Sequence, residues 1–307
     1  EAVKIAAHLG IRVVSLISEG DYPDDDDELV RRFFWGWNAD RRFYEDMHLE
    51  WTQRAVDLIH RAIPESAGFD MRVTGATGFD RFRLMSFGDR SALLSKYGLP
   101  SFERIVGMAG WTFDHVSGAY FENHRDVVTR SCGGEAGVEL HVRAGLLLRH
   151  LLREVISSRR DTLFVLKHHP GVTDESLSEF RGLEDLENVL ILRGHADNVA
   201  DVIGACDLWL AYESTTCLEA WLLGKQTLLV NPAGADFRRS RVSAGSPVVE
   251  TTEQLAFALG EFYRAGEVPG WRDREDQRGD VVERTIGWAD GSSHARAGEC
   301  VRTALER

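Results

Sequence analysis

Residues 161–232 decide the fold, because they contain four apolar runs of strand length and one helical segment. The runs are TLFVLKHHPG (162–171), NVLILRG (188–194), DLWLAYES (207–214) and KQTLLVN (225–231), and the helical segment is TTCLEAWLLG (215–224). Continuous apolar strands that alternate with helices are typical of a parallel sheet covered on both faces. Ligands of such sheets bind beyond the carboxyl ends of the strands. The sequence therefore predicts an α/β fold with a binding site at that edge.

The candidate site residues, nearly all of them polar, lie at the ends of these strands or just after them, where a ligand would lie. They are Lys167, His168, His169, Pro170, His195, Glu213, Ser214, Thr215, Thr216 and Glu219. A lysine and two histidines at one strand end can donate charge-assisted hydrogen bonds to a phosphate or diphosphate. Ser214 and Thr215 at a helix start would offer further donors to the same anion. Glu219, one turn into that helix, could accept ribose hydroxyls.

Each of these residues has a structural alternative. The histidines could belong to a surface loop, and Thr216 with Glu219 fits a capping box, which requires no ligand. Adjacent histidines on a strand point to opposite faces, so His168 and His169 cannot easily bind one metal ion. We therefore expect no metal ion and no other cofactor.

Length and charge limit the classes of protein to consider. A chain of 307 residues suits two domains, which we expect at 1–100 and 101–290, with a closing helix at 291–307. The boundary is predicted at 98–101, where glycine and proline occur together. The 36 Lys and Arg residues against 49 Asp and Glu give a net charge of −13. This balance argues against a nucleic-acid partner, which would need a basic face.

Cysteine usage and hydropathy favour a cytoplasmic protein. The four cysteines show no CxxC spacing, and Cys206 and Cys217 lie in apolar segments that predict core positions. No apolar run is as long as a membrane span, and no secretory signal is present. The chain opens on a helical pattern, EAVKIAAHLG (1–10), whereas a doubly wound domain normally opens on a strand. We therefore expect the first elements of the N-terminal domain to precede residue 1.

The N-terminal third contains the candidate acceptor-side residues. A buried strand is predicted at IRVVSLIS (11–18), which places Glu19 at its carboxyl end. Glu19 could act as a general base toward an acceptor hydroxyl or lie in a solvated loop. Trp35 and Trp37 flank Gly36 in a predicted loop and are candidates for a sugar platform. Asp80, which follows the predicted strand MRVTG (71–75), would line the cleft or cap a turn.

The remaining segments carry weaker patterns. Apolar residues recur at helical spacing over 40–63, which predicts one long amphipathic helix. Segment 111–137 is glycine-rich and predicted to be irregular, and 140–156 is predicted to be a buried helix. The segment 272–290 is charged and poorly periodic.

The chain resembles the GT-B glycosyltransferases, in particular bacterial surface-carbohydrate biosynthesis proteins. The similar segments, over roughly 10–235, are SEGD (18–21), WGWNADRRFYEDMHLEW (35–51), VTGATGFDRF (73–82), GMAGWTFD (107–114), LKHHPG (166–171) and YESTTCLEAWLLGK (212–225). The resemblance implies two Rossmann-like domains whose parallel sheets face a central cleft, with the nucleotide donor bound in the second domain.

The resemblance also implies roles for individual residues. An acidic-Gly loop, a His-Pro pair and a Ser-Ser/Thr pair occur together in transferases that use CMP-activated acidic sugars. By this pattern Glu19 would be the general base, and His169, Ser214 and Thr215 would contact the donor phosphate. Ser18 stands where that pattern often has a second acid. Polyol-phosphate transferases that use CDP-glycerol share the His-Pro and Ser-Thr elements, so both resemblances favour a cytidine nucleotide.

We therefore predict a metal-independent glycosyltransferase. It would move a sugar from a nucleotide-activated donor, with CMP-linked sugars among the candidates, to a surface polysaccharide. The acceptor would be a saccharide or a lipid-linked saccharide, which would associate the enzyme peripherally with the inner face of the membrane. Three alternatives remain: a CDP-glycerol type transferase, a nucleotide-sugar epimerase of the same fold, and a non-catalytic nucleotide-sugar-binding subunit.

Overall fold

The computed structural model describes residues 1–18, 22, 26–36, 38–235 and 242–306. The chain divides into two compact units, of which the first comprises Glu1–Ser86 with Gly279–Arg307 and the second comprises Phe87–Arg278. This division differs from the boundary that the sequence suggests at 98–101, since Arg90–Tyr97 belongs to the second unit. In the described residues, no helix has the length and apolar character needed to cross a membrane.

The strands and helices alternate along most of the chain. The strands are β1 (Val14–Leu16), β2 (Met47–Glu50), β3 (Met71–Val73), β4 (Arg104–Ala109), β5 (Thr162–Lys167), β6 (Val189–Leu192), β7 (Leu208–Ala211), β8 (Gln226–Val230) and β9 (Val248–Val249). The helices are α1 (Ala2–His8), α2 (Asp27–Trp35), α3 (Gln53–Ala62), α4 (Arg81–Leu84), α5 (Arg90–Tyr97), α6 (Gly118–Ser131), α7 (Glu135–Ser158), α8 (Val199–Ala205), α9 (Thr216–Leu222), α10 (Val242–Gly245), α11 (Thr252–Ala265), α12 (Glu275–Ile286) and α13 (Ser293–Glu306).

The second unit contains a six-stranded parallel sheet in the order β6-β5-β4-β7-β8-β9. The central strand β4 pairs with β5 on one side and β7 on the other, so that Val106 lies opposite both Phe164 and Leu208. The chain moves outward from β4 to β6 and then crosses to the far side of β4 to form β7. This is a doubly wound order with its switch point between β4 and β7, where such sheets form a crevice for ligands.

Both faces of this sheet are buried, which explains the continuous apolar runs. One face packs Phe164 and Leu208 against Leu148 and Leu152 of α7, in a cluster that includes Leu255 of α11. The other face packs Val165 and Trp209 against α8 and α9. Cys206 and Cys217 are fully buried in this second cluster, which confirms their predicted core positions. The α/β fold that the sequence predicts is therefore correct for this unit.

The first unit contains a smaller parallel sheet in the order β1-β2-β3. A cluster that includes Ala55 and Ile59 packs α3 against α2, and Met47 and Leu49 of β2 pack against Ala297 and Ala304 of α13. The first strand is shorter and less buried than the sequence predicts, since β1 has three residues and Leu16 is 47% exposed.

The long helix predicted over 40–63 is wrong, because this segment contains β2 followed by α3. Thr52 has extended backbone angles and its side chain caps α3 by accepting a hydrogen bond from Ala55 N at 3.1 Å. The sequence of β2 alternates apolar and polar residues, but its polar residues are buried as well, so the strand cannot be recognised from one buried and one exposed face. His48 Nε2 lies 2.9 Å from Glu50 Oε1, and His48 Nδ1 lies 3.1 Å from Glu45 Oε1.

Two segments that lacked a clear pattern are helical. Residues 111–137, predicted to be irregular, contain α6, which has non-helical backbone angles at His124. Gly133 and Gly134 have positive φ angles and separate α6 from α7, so these glycines bound helices instead of filling a loop. The charged segment 272–290 contains α12, which buries Val281 and Ile286.

Candidate functional site

A cavity of about 390 Å³ lies at the carboxyl edge of the six-stranded sheet. Its walls come from the ends of β4 and β5, from the loop between β6 and α8, and from the residues after β7. The lining residues are Ala109, Gly110, Lys167, His168, His169, Pro170, Gly194, His195, Asp197, Asn198, Val199, Ser214, Thr215 and Thr216. The cavity therefore spans the switch point of the sheet, where the sequence predicts a ligand.

The sequence-predicted residues of the second unit fall into two groups. Lys167, His168, His169, Pro170, His195, Ser214, Thr215 and Thr216 all line the cavity. Glu213 and Glu219 are half-buried and are not among its lining residues. The structure thus brings together the basic and hydroxyl side chains and leaves the two carboxylates outside the cavity wall.

Lys167 supplies a buried positive charge at the end of β5. Its side chain is 6% exposed, and its Nζ donates a hydrogen bond to the carbonyl oxygen of Gly194. Burial lowers the pKa of Lys167, and the carboxylate of Asp197 opposes that effect. An ammonium group has three donors, so this lysine has further donors for an anion in the cavity.

His169 lies at the rim of the cavity and has a defined tautomer. The backbone N–H of Gly171 donates to His169 Nδ1 at 3.0 Å, so Nδ1 is the unprotonated nitrogen. In the neutral ring the proton is then on Nε2. Although His169 is exposed at the rim, displacement of water from its ring lowers its pKa, and nearby His115 lowers the pKa further. His169 is therefore a neutral Nε2–H donor at neutral pH.

The hydroxyl oxygen of Ser214, at the wall of the cavity, accepts two hydrogen bonds from its neighbour Thr216. The indole N–H of Trp209 donates to Thr216 Oγ1 at 2.9 Å, and Thr216 Oγ1 donates to Ser214 Oγ at 2.8 Å. The backbone N–H of Thr216 also donates to Ser214 Oγ, at 3.2 Å. Since this oxygen already accepts two hydrogen bonds, the Ser214 hydroxyl proton is available to an acceptor in the cavity.

The capping box suggested for Thr216 with Glu219 is wrong. Thr215 occupies the residue before α9 and makes no side-chain cap, while Ser214 accepts from the N–H of Thr216. The hydroxyls after β7 are thus organised by Trp209, a core residue of the preceding strand, instead of by the helix itself.

His168 is a buried residue of the cavity wall. It is 5% exposed, and its ring packs edge-on against Phe180. Its Nδ1 lies 3.4 Å from Ser178 Oγ, and burial lowers the pKa of the ring. His168 therefore forms an uncharged inner wall of the cavity.

The candidate acceptor-side residues belong to the first unit. Glu19 and Trp37 lie outside the described residues. Trp35 is the last residue of α2, not a loop residue as predicted, and its ring packs 5.1 Å from that of Phe43. Asp80 is 4% exposed and caps α13, because its carboxylate accepts from the backbone N–H groups of Ser293 and His294 at 3.1 and 2.6 Å.

Asp197 is a cavity residue that the sequence reasoning missed. Its carboxylate accepts hydrogen bonds from Lys96 Nζ and, at 2.7 Å, from Tyr97 Oη. Burial raises its pKa, but the bonds from Lys96 and Tyr97 outweigh burial and lower the pKa overall. The partners lie on α5, far away in the sequence. The sequence shows an acidic residue shortly after β6, but it does not show the contact with α5 that holds this residue at the cavity.

Among the described residues, no group of three or more His, Cys, Asp or Glu side chains is arranged to hold a metal ion.

Comparison with solved structures identifies the fold. The sequence matches no protein-family model and no curated protein. A putative UDP-N-acetylglucosamine 2-epimerase from Listeria monocytogenes aligns over 99% of this chain and 71% of its own, with 14% identity and a TM-score of 0.58. The UDP-GlcNAc 2-epimerase of Neisseria meningitidis bound to UDP-GlcNAc aligns over 100% and 73%, with 15% identity and a TM-score of 0.52.

A third similar structure is that of the wall teichoic acid polymerase TagF with CDPG. It aligns over 86% of this chain and 58% of its own, with 11% identity and a TM-score of 0.50. At these identities the likeness concerns the fold alone. The chain therefore has the GT-B type of α/β fold, with one parallel sheet in each unit.

Proposed function

We propose that this protein is a glycosyltransferase whose second unit binds the phosphate of a nucleotide-activated sugar. One observation carries the proposal: donors from two separate segments, Lys167 and His169 at the end of β5 and Ser214 after β7, line a single cavity at the switch point of the sheet. One of them is a buried ammonium group, and the other two have their polarity set by neighbours.

A phosphate fits this set of donors better than a neutral ligand does. Charge-assisted hydrogen bonds to an anion are about twice as strong as neutral ones, and an anion would offset the cost of burying Lys167. The cavity volume of about 390 Å³ lies within the usual range for small-molecule sites. A nucleotide also provides sugar and base groups that can extend from the phosphate along the wall formed by Asp197 and Asn198.

The same donors can assist glycosyl transfer. An acceptor hydroxyl forms a bond to the anomeric carbon while the bond from that carbon to the phosphate oxygen breaks. The phosphate leaves with the bonding electrons, and donors that already face it stabilise the developing charge. The acceptor proton requires a base, and the family resemblance implies Glu19 for this role. A saccharide or lipid-linked acceptor belongs to this proposal, as does a cytidine donor.

An epimerase acting on a nucleotide sugar is the second candidate. The observation in its favour is that the two epimerase structures align over 99% and 100% of this chain, against 86% for TagF. The two reactions differ in a simple way. An epimerase converts the nucleotide sugar without an acceptor, whereas a transferase releases the nucleotide only when an acceptor accompanies the donor.

A binding screen tests the shared part of both candidates. The full chain would be titrated with CMP, CDP, UMP, UDP, GDP and ADP in thermal-shift and calorimetric experiments, since a ligand of the folded state raises its stability with concentration. We expect a pyrimidine nucleotide to bind, and His169→Ala and Ser214→Ala to weaken binding. His150→Ala, at a surface position that is 72% exposed, serves as the matched control. Equal binding by all four proteins, or no binding by any of them, would overturn the proposed site.

Product analysis then separates the candidates. The wild-type protein would be incubated with a sugar derivative of the nucleotide that binds most tightly, with and without oligosaccharide acceptors. Free nucleotide formed only with acceptor supports the transferase, and an isomeric nucleotide sugar formed without acceptor supports the epimerase.

A further inference from the structure

The loop that carries His169 is held by a second segment of the chain. This loop, residues 169–174, follows β5, and the segment that contacts it follows β4. His115 Nε2 lies 2.9 Å from the carbonyl oxygen of Gly171. A carbonyl can only accept, so the proton of His115 is on Nε2 and is donated to Gly171.

Gly171 connects His115 with His169. Its carbonyl accepts from His115, while its own N–H donates to His169 Nδ1 at 3.0 Å. Glycine suits this close approach, because an added Cβ would lie 3.1 Å from His169 Nδ1. The orientation of one glycine backbone thereby determines which nitrogen of His169 accepts and which nitrogen carries the proton.

Asp114 anchors the other end of the loop. Its Oδ2 accepts from the N–H and hydroxyl of Thr173 at 2.7 and 2.8 Å, and from the N–H of Asp174 at 3.1 Å. The side chain is 1% exposed, so these contacts are shielded from water. Asp114 and His115 are consecutive residues that therefore hold both halves of one loop.

We infer that His115 is a positioning residue, which holds Gly171 so that His169 keeps its proton on Nε2 and presents it to the cavity. Asp114 limits the movement of the loop around this contact. The functional meaning rests on the proposed phosphate site, because an Nε2–H donor at the rim serves an anionic ligand. In the opposite tautomer His169 would present a lone pair, which repels phosphate oxygens.

His115 also has a packing role that must be separated from this one. Its ring stacks on Tyr120 with centroids 3.7 Å apart and an interplanar angle of 7°. His115→Phe keeps an aromatic ring for this stack and removes the donor to Gly171. His115→Gln removes the ring and keeps an amide N–H near the position of Nε2. Each variant thus keeps one of the two functions of His115, the ring stacking or the hydrogen-bond donor, and removes the other.

The test is the tautomer of His169, read by long-range ¹H–¹⁵N NMR on the full chain labelled with ¹⁵N-histidine. The chain has 11 histidines, and His169→Gln assigns the resonance of interest by its absence. We expect an Nε2–H tautomer in the wild type and in His115→Gln, and a mixture of tautomers in His115→Phe. If His115→Phe does not fold, His115→Asn removes the same donor, since its amide ends near the Nδ1 position.

Nucleotide affinity provides the second measurement. Loss of one organised donor should weaken binding of CMP or UMP about two- to tenfold in His115→Phe, with near wild-type affinity in His115→Gln. An unchanged His169 tautomer in both donor-free variants overturns the positioning role. The tautomer is measured without ligand, so the two conclusions can be separated. If the wild type binds no nucleotide but His115→Phe still changes the His169 tautomer, only the proposed function is overturned.

Discussion

The indole nitrogen of Trp209 and the hydroxyl of Thr216 are 2.9 Å apart, and this contact sets the polarity of the hydroxyl groups beside the cavity. An indole N–H can only donate, so the Thr216 oxygen accepts from Trp209 and donates onward to Ser214. A buried side chain of β7 thus determines which way a cavity hydroxyl points.

Replacing Thr216 by valine tests this arrangement. The change preserves side-chain shape, but it leaves the indole N–H of Trp209 without its acceptor, which should cost about 1–3 kcal/mol of stability. Nucleotide binding should weaken about two- to tenfold because Ser214 loses its orientation. Thr216→Ser, which keeps the hydroxyl, should bind almost as the wild type does. Calorimetric titration measures the affinities, and wild-type affinity in Thr216→Val would contradict the prediction.

Lys167→Met should separate binding from stability. The substitution removes a buried charge whose pKa burial already lowers, so the free energy of unfolding should change by less than about 1.5 kcal/mol. Nucleotide binding should fall at least about tenfold, and its dependence on salt should decrease. Lys4→Met is the control, since the 50% exposed side chain of Lys4 lies in α1 of the first unit and is not among the residues that line the cavity. A large stability loss with retained binding would assign Lys167 a structural role.

The stability of the first unit should decrease at alkaline pH because of His48. Burial disfavours its charged form, but hydrogen bonds to Glu45 and Glu50 outweigh burial and raise the pKa of His48 to about 9. A raised pKa in the folded state stabilises the fold below the unfolded value of about 6.5. This contribution, on the order of 3–4 kcal/mol, is lost as the pH rises from about 6.5 to about 9.

Hydrogen exchange of β2 peptides, measured at pH 6, 7.5 and 9 and corrected for intrinsic rates, checks this dependence. In His48→Gln the protection of β2 from exchange should change much less between pH 6 and pH 9, because the titrating imidazole has been removed. Equal slopes in the two proteins would show that another group is responsible.

Gly107→Ala should destabilise the second unit. An added Cβ would lie 2.3 Å from the Trp209 ring and 2.7 Å from Cys206 Sγ, and both residues are fixed in the core. Overpacking of this kind costs about 1–3 kcal/mol. Gly260→Ala, in helix α11 with only the end of Arg159 near the added atom, should instead raise stability by up to about 1 kcal/mol. Denaturant unfolding of both variants checks the opposite signs.

Glu19→Gln tests the base that the family resemblance implies. If Glu19 accepts the acceptor proton, transfer should slow about a hundredfold or more, while the affinity for nucleotide should remain that of the wild type. Single-turnover assays with saturating donor measure the chemical step. Unchanged transfer by Glu19→Gln would exclude this residue as the base.

Four strands of the six-stranded sheet, β5 to β8, and most of the cavity residues were predictable, because doubly buried parallel strands have continuous apolar sequences. The polar residues directly after those strands, such as Lys167 and Ser214, then fall at the same edge. Strand β2 was not predictable in the same way, since His48 and Glu50 occupy buried positions as an ion pair. Such pairing depends on three-dimensional contacts that the spacing of apolar residues does not record.

The finer organisation of the site was also beyond the sequence. Asp197 is held by Tyr97, His169 is oriented through Gly171 by His115, and Ser214 is oriented through Thr216 by Trp209. Each contact joins a polar residue that the sequence places at the edge of the sheet, or near it, to a partner on another strand, helix or turn. Spacing along the chain predicts which residues reach the edge of the sheet, but it does not predict the direction in which their protons point.

The strand order has a consequence for how the protein matures. Because β4 and β7 are far apart in the chain, their pairing carries the entropic cost of closing a long loop, and we expect it to form more slowly than the local contacts of this unit. A chain that lacks the β4–β7 pairing lacks the cavity, so the proposed nucleotide should not bind to it. A nucleotide present during refolding should therefore leave the early collapse of the chain unchanged and slow the unfolding of fully folded molecules. The amount of bound nucleotide should then measure the fraction of chains that have completed the cavity.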